Sequence, residues 1–210
     1  MAAVNEWVNA DHAVQYLGRA DRIPHRTEGE STLLELLPKN VERVLDLGSG
    51  DGRLLSLVLE MFPHAEGVAV DFSPTMLERL QRRFGSRNVQ IVDHNLDYPL
   101  PQLGPFEAIV SSFAIHHCAH ERKRELYSEI FNLLAPGGVF CNLEHVASPN
   151  DKLHRDFLTG IGCTVETEDP SNKLLDLHIQ LQWLREIGFE DVDCFWKWRE
   201  LALLAGSKPA

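Results

Sequence analysis

The sequence predicts an α/β fold, a mostly parallel sheet with helices on both faces. Three observations predict it. From residue 41 onward, short apolar strand-like runs alternate with amphipathic helical runs, the pattern of a parallel sheet covered on both sides. The first run, Val44-Leu45-Asp46-Leu47, ends in Gly48-Ser49-Gly50-Asp51-Gly52 and leads into a helix. The second, Gly67-Val68-Ala69-Val70, ends in Asp71. Glycines there admit positive φ and a close ligand, and a carboxylate about twenty residues further on can accept two ribose hydroxyls. The pair implies a nucleoside-containing cofactor across the carboxyl edge of the sheet.

Seven strands are expected, near 41–48, 66–71, 89–93, 106–113, 138–145, 190–198 and 201–207. Helices fall between them, near 52–62, 74–84, 121–134 and 174–187. Pro74 follows Ser73 as a helix start, and Pro136-Gly137-Gly138 reads as a turn into the fifth strand. Only Arg199-Glu200 separates the last two strands, so they form an antiparallel hairpin.

The whole chain, 1–210, reads as one domain with a core at 41–146 and a terminal helix and strand hairpin at 174–210. Two regions lie outside the core pattern. Residues 1–40 carry helical signals at Trp7, Val8, Ala13, Val14 and Leu17, then at Leu33, Leu34, Leu36 and Leu37. Residues 147–173, with Gly160, Gly162 and Pro170, form an insert at the carboxyl edge. Both are candidates for a lid over the site, or for plain packing decoration.

Composition narrows the partners. A hydrophobic content of 44% over 210 residues suits one sizeable core. The net charge of −11 argues against a nucleic-acid backbone or an anionic membrane. Met1 to Val14 lacks a basic region followed by an apolar run, and no apolar stretch approaches the ~20 residues that span a bilayer. Cys118, Cys141, Cys163 and Cys194 are scattered, as reduced thiols of a cytoplasmic protein would be. Oligomeric state is not readable.

The dinucleotide fingerprint G-x-G-x-x-G is not met, since Arg53 stands where its third glycine should be. A phosphate loop is absent too. The spacing Asp46-x-Gly48-x-Gly50-x-Gly52 instead resembles motif I of the class I S-adenosylmethionine (SAM)-dependent methyltransferases. The resemblance continues through Val70-Asp71-Phe72-Ser73-Pro74-Thr75-Met76-Leu77, Phe106-Glu107-Ala108-Ile109-Val110-Ser111 and Leu134-Ala135-Pro136-Gly137-Gly138. It covers 41–146 and implies a Rossmann-like seven-stranded sheet whose antiparallel last strand inserts beside the fifth, with SAM as cofactor.

By this resemblance Asp46 helps hold the methionine amino group, and Gly48, Gly50 and Gly52 let the methionine part lie against the backbone. An acid ending a buried strand is expensive without a partner. Asp71 binds the ribose hydroxyls. Phe72 packs against adenine or serves the core. Asn95, followed by Leu96, stands where relatives carry Asp, and its amide oxygen can accept from the adenine amino group; Asp93 is the alternative. Ser111 lies beside the sulfonium, through its backbone. Tyr16, Arg22, His25 and Arg26 offer an N-terminal cationic run. Arg26 is the candidate for the SAM carboxylate, because a guanidinium fork fits one.

Methyl transfer chiefly needs proximity, orientation and a dry site. A base helps where the acceptor is a hydroxyl or an ammonium. Ile115-His116-His117-Cys118-Ala119-His120 supplies His116 and His117 as bases near neutrality, or as residues that orient the loop. A metal held by His116, His117, Cys118 and His120 is the other reading, but no Cys/His pair has zinc spacing, and no metal is assigned. Glu144 and His145 end the fifth strand at the same edge, either facing the acceptor, with His145 a further catalytic candidate, or capping the turn before Pro149. Trp183, Trp196 and Trp198 read as core.

The leading expectation is a SAM-dependent methyltransferase for a small-molecule acceptor. Two alternatives stand beside it. One is a SAM-using enzyme that does not methylate: aminopropyl transfer, cyclisation with release of methylthioadenosine, or carboxy-SAM formation. The run Gln182–Glu190 followed by Trp196 resembles proteins that make carboxy-SAM. The other is a non-catalytic SAM-binding protein.

Overall fold

The computed structural model describes residues 23–85 and 87–210. The helical signals from Trp7 to Leu17, and the candidates Tyr16 and Arg22, lie outside the described residues. The chain runs α1 (Arg26–Leu36), β1 (Arg43–Leu47), α2 (Arg53–Met61), β2 (Glu66–Asp71), α3 (Pro74–Phe84), β3 (Val89–Asp93) and β4 (Phe106–Ser112). A 3₁₀ turn (Ile115–His117) leads to α4 (His120–Leu133), β5 (Leu134–His145), α5 (Asp151–Gly160), α6 (Leu177–Ile187), β6 (Glu190–Trp198) and β7 (Leu201–Ser207).

The seven strands form one sheet in the order β3-β2-β1-β4-β5-β7-β6. β7 is antiparallel to both neighbours, and the other pairings are parallel. The expected hairpin is therefore present, with the last strand inserted beside the fifth. Strand order reverses between β1 and β4, and ligands bind outside the carboxyl ends of strands at such a switch point.

Alternation along the strands feeds two apolar layers. Leu45, Leu47, Val68, Val70, Ile109 and Phe140 pack with Leu126, Tyr127 and Ile130 of α4 and Leu181 and Leu184 of α6. Val44, Ala69, Ala108, Val110, Cys141 and Leu143 pack with Leu33 of α1, Leu54, Leu55 and Val58 of α2, and Leu80 and Phe84 of α3. Trp183 packs partly buried on the first layer, and Trp196 and Trp198 on the second.

Three element expectations shift. β5 begins at Leu134, because the Pro-Gly-Gly turn is accommodated as a bulge: Phe106 pairs Leu134, and Ala108 already pairs Val139. The last helix begins at Leu177, where Asp176 accepts the His178 and Ile179 amides at 2.8 and 3.2 Å. The insert contains α5, whose start is fixed by Asn150 Oδ1 accepting the Leu153 amide at 3.0 Å.

Gly52 enters α2 with φ +84, and a Cβ there would lie 2.4 Å from Phe84 Cε2. The residue therefore lets α2 and α3 approach. Gly52→Ala should cost about 2–4 kcal/mol in urea unfolding, adding left-handed backbone strain to overpacking. Gly50→Ala, where a Cβ meets nothing within 4 Å, should cost only the backbone share of about 1–2 kcal/mol.

Candidate cofactor and acceptor site

A cavity of about 330 Å³ opens at the carboxyl edge. β1 and its loop supply Asp46, Gly48, Ser49 and Gly50. β2 supplies Asp71 and Phe72, and the loop after β3 supplies Asn95 and Leu96. β4 and the following turn supply Ser112, Phe113, Ala114 and His117, while α1 brings Arg26.

Asp71 is the most fully bonded of these groups. Its Oδ2 accepts the Gly50 amide at 2.8 Å, and its Oδ1 accepts the Ser73 amide at 2.9 Å. The two bonds fix the carboxylate at the rim and leave each oxygen a second acceptor site for a ribose hydroxyl. Burial pushes Asp71 up to about 6 against the pull of those amides. Asp46 is buried deeper, and among the described residues its Oδ2 has no hydrogen-bond partner. Burial pushes it up to about 7; the Leu55 amide at the helix start opposes this, and the charge of Asp71 adds to it. An ammonium group at this position would satisfy Asp46 and restore its ionised form.

The three glycines serve three purposes. Gly50, φ +56, presents open space to the cavity. Gly48, φ +67, lets the β1 and β4 loops meet, since its Cβ would sit 2.2 Å from that of Ala114. Gly52 makes the α2–α3 contact and does not itself line the cavity.

Arg26 reaches the cavity, held from behind. Its Nε donates to Glu30 Oε1 at 2.8 Å, and its guanidinium lies 5.6 Å from the Phe113 ring centroid. Arg53 donates to both oxygens of the same Glu30 at 2.9 Å. Buried Glu30 therefore ties α1 to the glycine-loop helix. No local pattern announced it, because the contact joins residues 23 positions apart.

Asn95 Oδ1 accepts the Asp97 amide at 2.9 Å and keeps one acceptor site for an adenine amine. Asp93 is exposed and does not line the cavity. Ser111, expected beside the sulfonium through its backbone, keeps its side chain within the sheet. It does not line the cavity, and its hydroxyl donates to Leu47 O at 2.8 Å within the sheet. One residue on, the alternation places Ser112 at the cavity, with its buried Oγ unpartnered among the described residues.

The histidines separate. His116 is buried beneath the cavity, with Nδ1 2.7 Å from Glu144 Oε1. Burial drives both toward their neutral forms, His116 down and Glu144 up. His145 Nε2 lies 2.9 Å from Glu200, which also holds His154 Nδ1 at 3.0 Å and the Ser148 hydroxyl. Neither His116 nor His145 lines the cavity, and each is held by a buried carboxylate. His117 does line it, with Nδ1 2.9 Å from Ser171 Oγ in the insert. The imidazoles of His116, His117 and His120 reach Glu144, Ser171 and the Leu174 carbonyl, three divergent partners.

A reversed sheet order and a carboxylate pair around an open glycine define a doubly wound α/β protein with a polar site at the carboxyl edge of its sheet. Comparison with known proteins sharpens the class. Residues 44–138 match the family model described as "Methyltransferase domain". Demethylmenaquinone methyltransferase of Thermus thermophilus is 34% identical over 116 residues, 54% of this chain and 51% of that protein. Carboxy-S-adenosyl-L-methionine synthase of Nautilia profundicola is 21% identical over 181 residues, 80% of this chain and 77% of that protein. An O-methyltransferase family protein from Burkholderia thailandensis superposes with a TM-score of 0.74 at 18% identity, covering 98% of this chain and 62% of that one. The chain thus spans about half the length of the demethylmenaquinone relative. Residues 44–138 thus match a methyltransferase domain, and the fold is that of the Burkholderia O-methyltransferase family protein.

Proposed function

We propose that this protein transfers the methyl group of SAM to a small-molecule acceptor. The observation that carries the reading is the pairing of buried Asp46, whose Oδ2 has no partner among the described residues, with Asp71, fixed at the rim, on either side of open Gly50. Asp46 meets the α-ammonium, Arg26 the carboxylate, Asp71 the ribose and Asn95 the adenine, with Phe72 and Leu96 as the apolar walls. SAM supplies an activated methyl carbon. The chain's own residues bind and orient it, exclude water, and place His117 as a base. Burial, then the neighbouring His116, hold His117 well below its ordinary value, so it is a neutral base at pH 7. The relative's name, demethylmenaquinone methyltransferase, supports a small acceptor.

The insert acts on the acceptor side in this reading. The insert reaches the cavity through His117 rather than by lining it. Among the described residues no helix is long and apolar enough to cross a membrane, and the four cysteines are unpaired. Both fit a cytoplasmic enzyme.

Purified protein with SAM and candidate acceptors should release S-adenosylhomocysteine, read by mass spectrometry. His117→Gln should lower kcat about 10²–10⁴-fold and leave SAM affinity within a few-fold by calorimetry. An unchanged kcat would remove His117 from the chemistry.

A second reading is favoured by one observation. The carboxy-SAM synthase match extends well beyond residues 44–138, over 80% of this chain. Non-methylating chemistry would show as carboxy-SAM, or as methylthioadenosine from aminopropyl transfer or cyclisation. SAM binding without any product would favour a non-catalytic role.

A further inference from the structure

Two side chains of α4 hold the loop that follows β3, and neither of them lines the cavity. Arg122 is buried. Its Nε donates to Leu96 O at 2.7 Å, and its Nη2 donates to Tyr98 O at 2.8 Å. Its Nη1 and Nη2 also donate to the two oxygens of Glu129 at 2.6 and 2.8 Å. Glu129 Oε2 in turn accepts the Leu100 amide at 2.9 Å. Glu125, on the exposed side, lies 3.5 Å from Nη1. One planar guanidinium and its carboxylate thus fasten three backbone groups between residues 96 and 100.

The grip on Leu96 bears on the site. Leu96 O and the Asp97 N–H belong to one planar trans peptide group, so they point in opposite directions. Arg122 fixes the oxygen, and the N–H on the other side donates to Asn95 Oδ1 at 2.9 Å. The turn is closed by the Tyr98 amide donating to Asn95 O at 3.0 Å. A backbone N–H only donates, so the atom facing it is the amide oxygen of Asn95. Turning the Asn95 amide over would set its NH₂ group against the Asp97 N–H. A free asparagine has no such restriction. Rotation about its last torsion lets it accept from a 6-amino group or donate to a 6-oxo group.

We infer that Arg122 and Glu129 are positioning residues that lock the Asn95 amide as an acceptor, and so select a 6-aminopurine cofactor over a 6-oxopurine. The inference rests on the reading of Asn95 as the adenine contact. The path runs from the guanidinium through the Leu96–Asp97 peptide to Asn95 Oδ1, and from there to the exocyclic amine. A cation on the carbonyl also polarises the peptide group and strengthens its N–H as a donor. Glu129 holds the plane of the guanidinium, so the fork cannot swing away from Leu96. An aspartate at this position would need no such grip, because both of its oxygens accept. The α4 fork gives an asparagine the same one-sided character.

Calorimetric titration with two ligands tests the inference. S-adenosylhomocysteine carries the 6-amino group, and S-inosylhomocysteine carries a 6-oxo group in its place. The readout is the ratio of their dissociation constants. The native protein should bind the 6-oxo ligand about 10- to 100-fold more weakly, since two acceptors then face each other. In Arg122→Gln the ratio should fall to about threefold or less, because the released amide can turn to donate. Arg122→Lys keeps a charge beside Glu129 and so protects the fold, but an ammonium lacks the planar fork. Its ratio should fall in the same direction, as should that of Glu129→Gln. Adding Asn95→Asp to Arg122→Gln should restore the native ratio, because a carboxylate accepts whichever way it turns. A general loosening of the loop would weaken both ligands together and leave the ratio alone. An unchanged ratio in the Arg122 variants, or no recovery with Asn95→Asp, would therefore overturn the inference while the cofactor site stands. A native ratio in Asn95→Ala would overturn the adenine contact and the inference with it. Failure of the native protein to bind S-adenosylhomocysteine would remove the underlying reading as well.

Discussion

Asp71→Ala is expected to weaken SAM binding by about 100-fold or more. Two ribose hydroxyls lose a charged acceptor, and hydrogen bonds to charged groups contribute about 1.5–3 kcal/mol each. The rim is also disturbed, because the Gly50 and Ser73 amides lose the oxygens that now fix them. Water can reach this edge of the cavity, so those amides are re-solvated and the fold should survive. Asp71→Asn should rescue little. Its one carbonyl oxygen can serve only one of the two amides, and its NH₂ group faces the other. Calorimetric titration measures the effect, with thermal unfolding as the control for folding. A loss below about tenfold, less than one charged hydrogen bond is worth, would mean the ribose does not lie on Asp71.

What the sequence made legible, and what it hid, follows from the range of the interactions. Asp46, the glycine loop and Asp71 could be read because strand, turn and helix are local and the turn chemistry is written in adjacent residues. The sheet order followed from the resemblance together with the two-residue gap at Arg199-Glu200. Ser112, one position beyond Ser111, was missed because a strand's faces alternate, and no residue nearby marks which face meets the cavity at the strand's end. Gly52 was read as a ligand contact because a positive φ looks the same in sequence whether a cofactor or Phe84 lies opposite. The histidines were beyond local reading altogether. Their roles are set by Glu144, Glu200 and Ser171, which lie 28, 55 and 54 residues away, and only folding brings these partners in.

The site's electrostatics lead to the second large effect, a SAM affinity that depends steeply on pH through Asp46. In the free protein Asp46 sits at about 7, against an ordinary value of 3.8. Between those values the folded state holds a proton that the unfolded state has released. The sign therefore runs opposite to that of a salt-bridged acid: stability without ligand falls as pH rises from 3.8 to about 7, then levels. SAM reverses the preference, because its ammonium favours the carboxylate. Binding below about 7 must expel the proton, and affinity should fall by up to about tenfold per pH unit. Asp71, at about 6, adds a second proton lower down. Titrations from pH ~5.5 to ~7.5, in buffers of different ionisation heat, count the protons released. Asp46→Asn should bind SAM more weakly at the upper end and show only the step that belongs to Asp71. A native affinity that stays flat across this range would mean that no cation meets Asp46, and the methionine end of the cofactor would have to lie elsewhere.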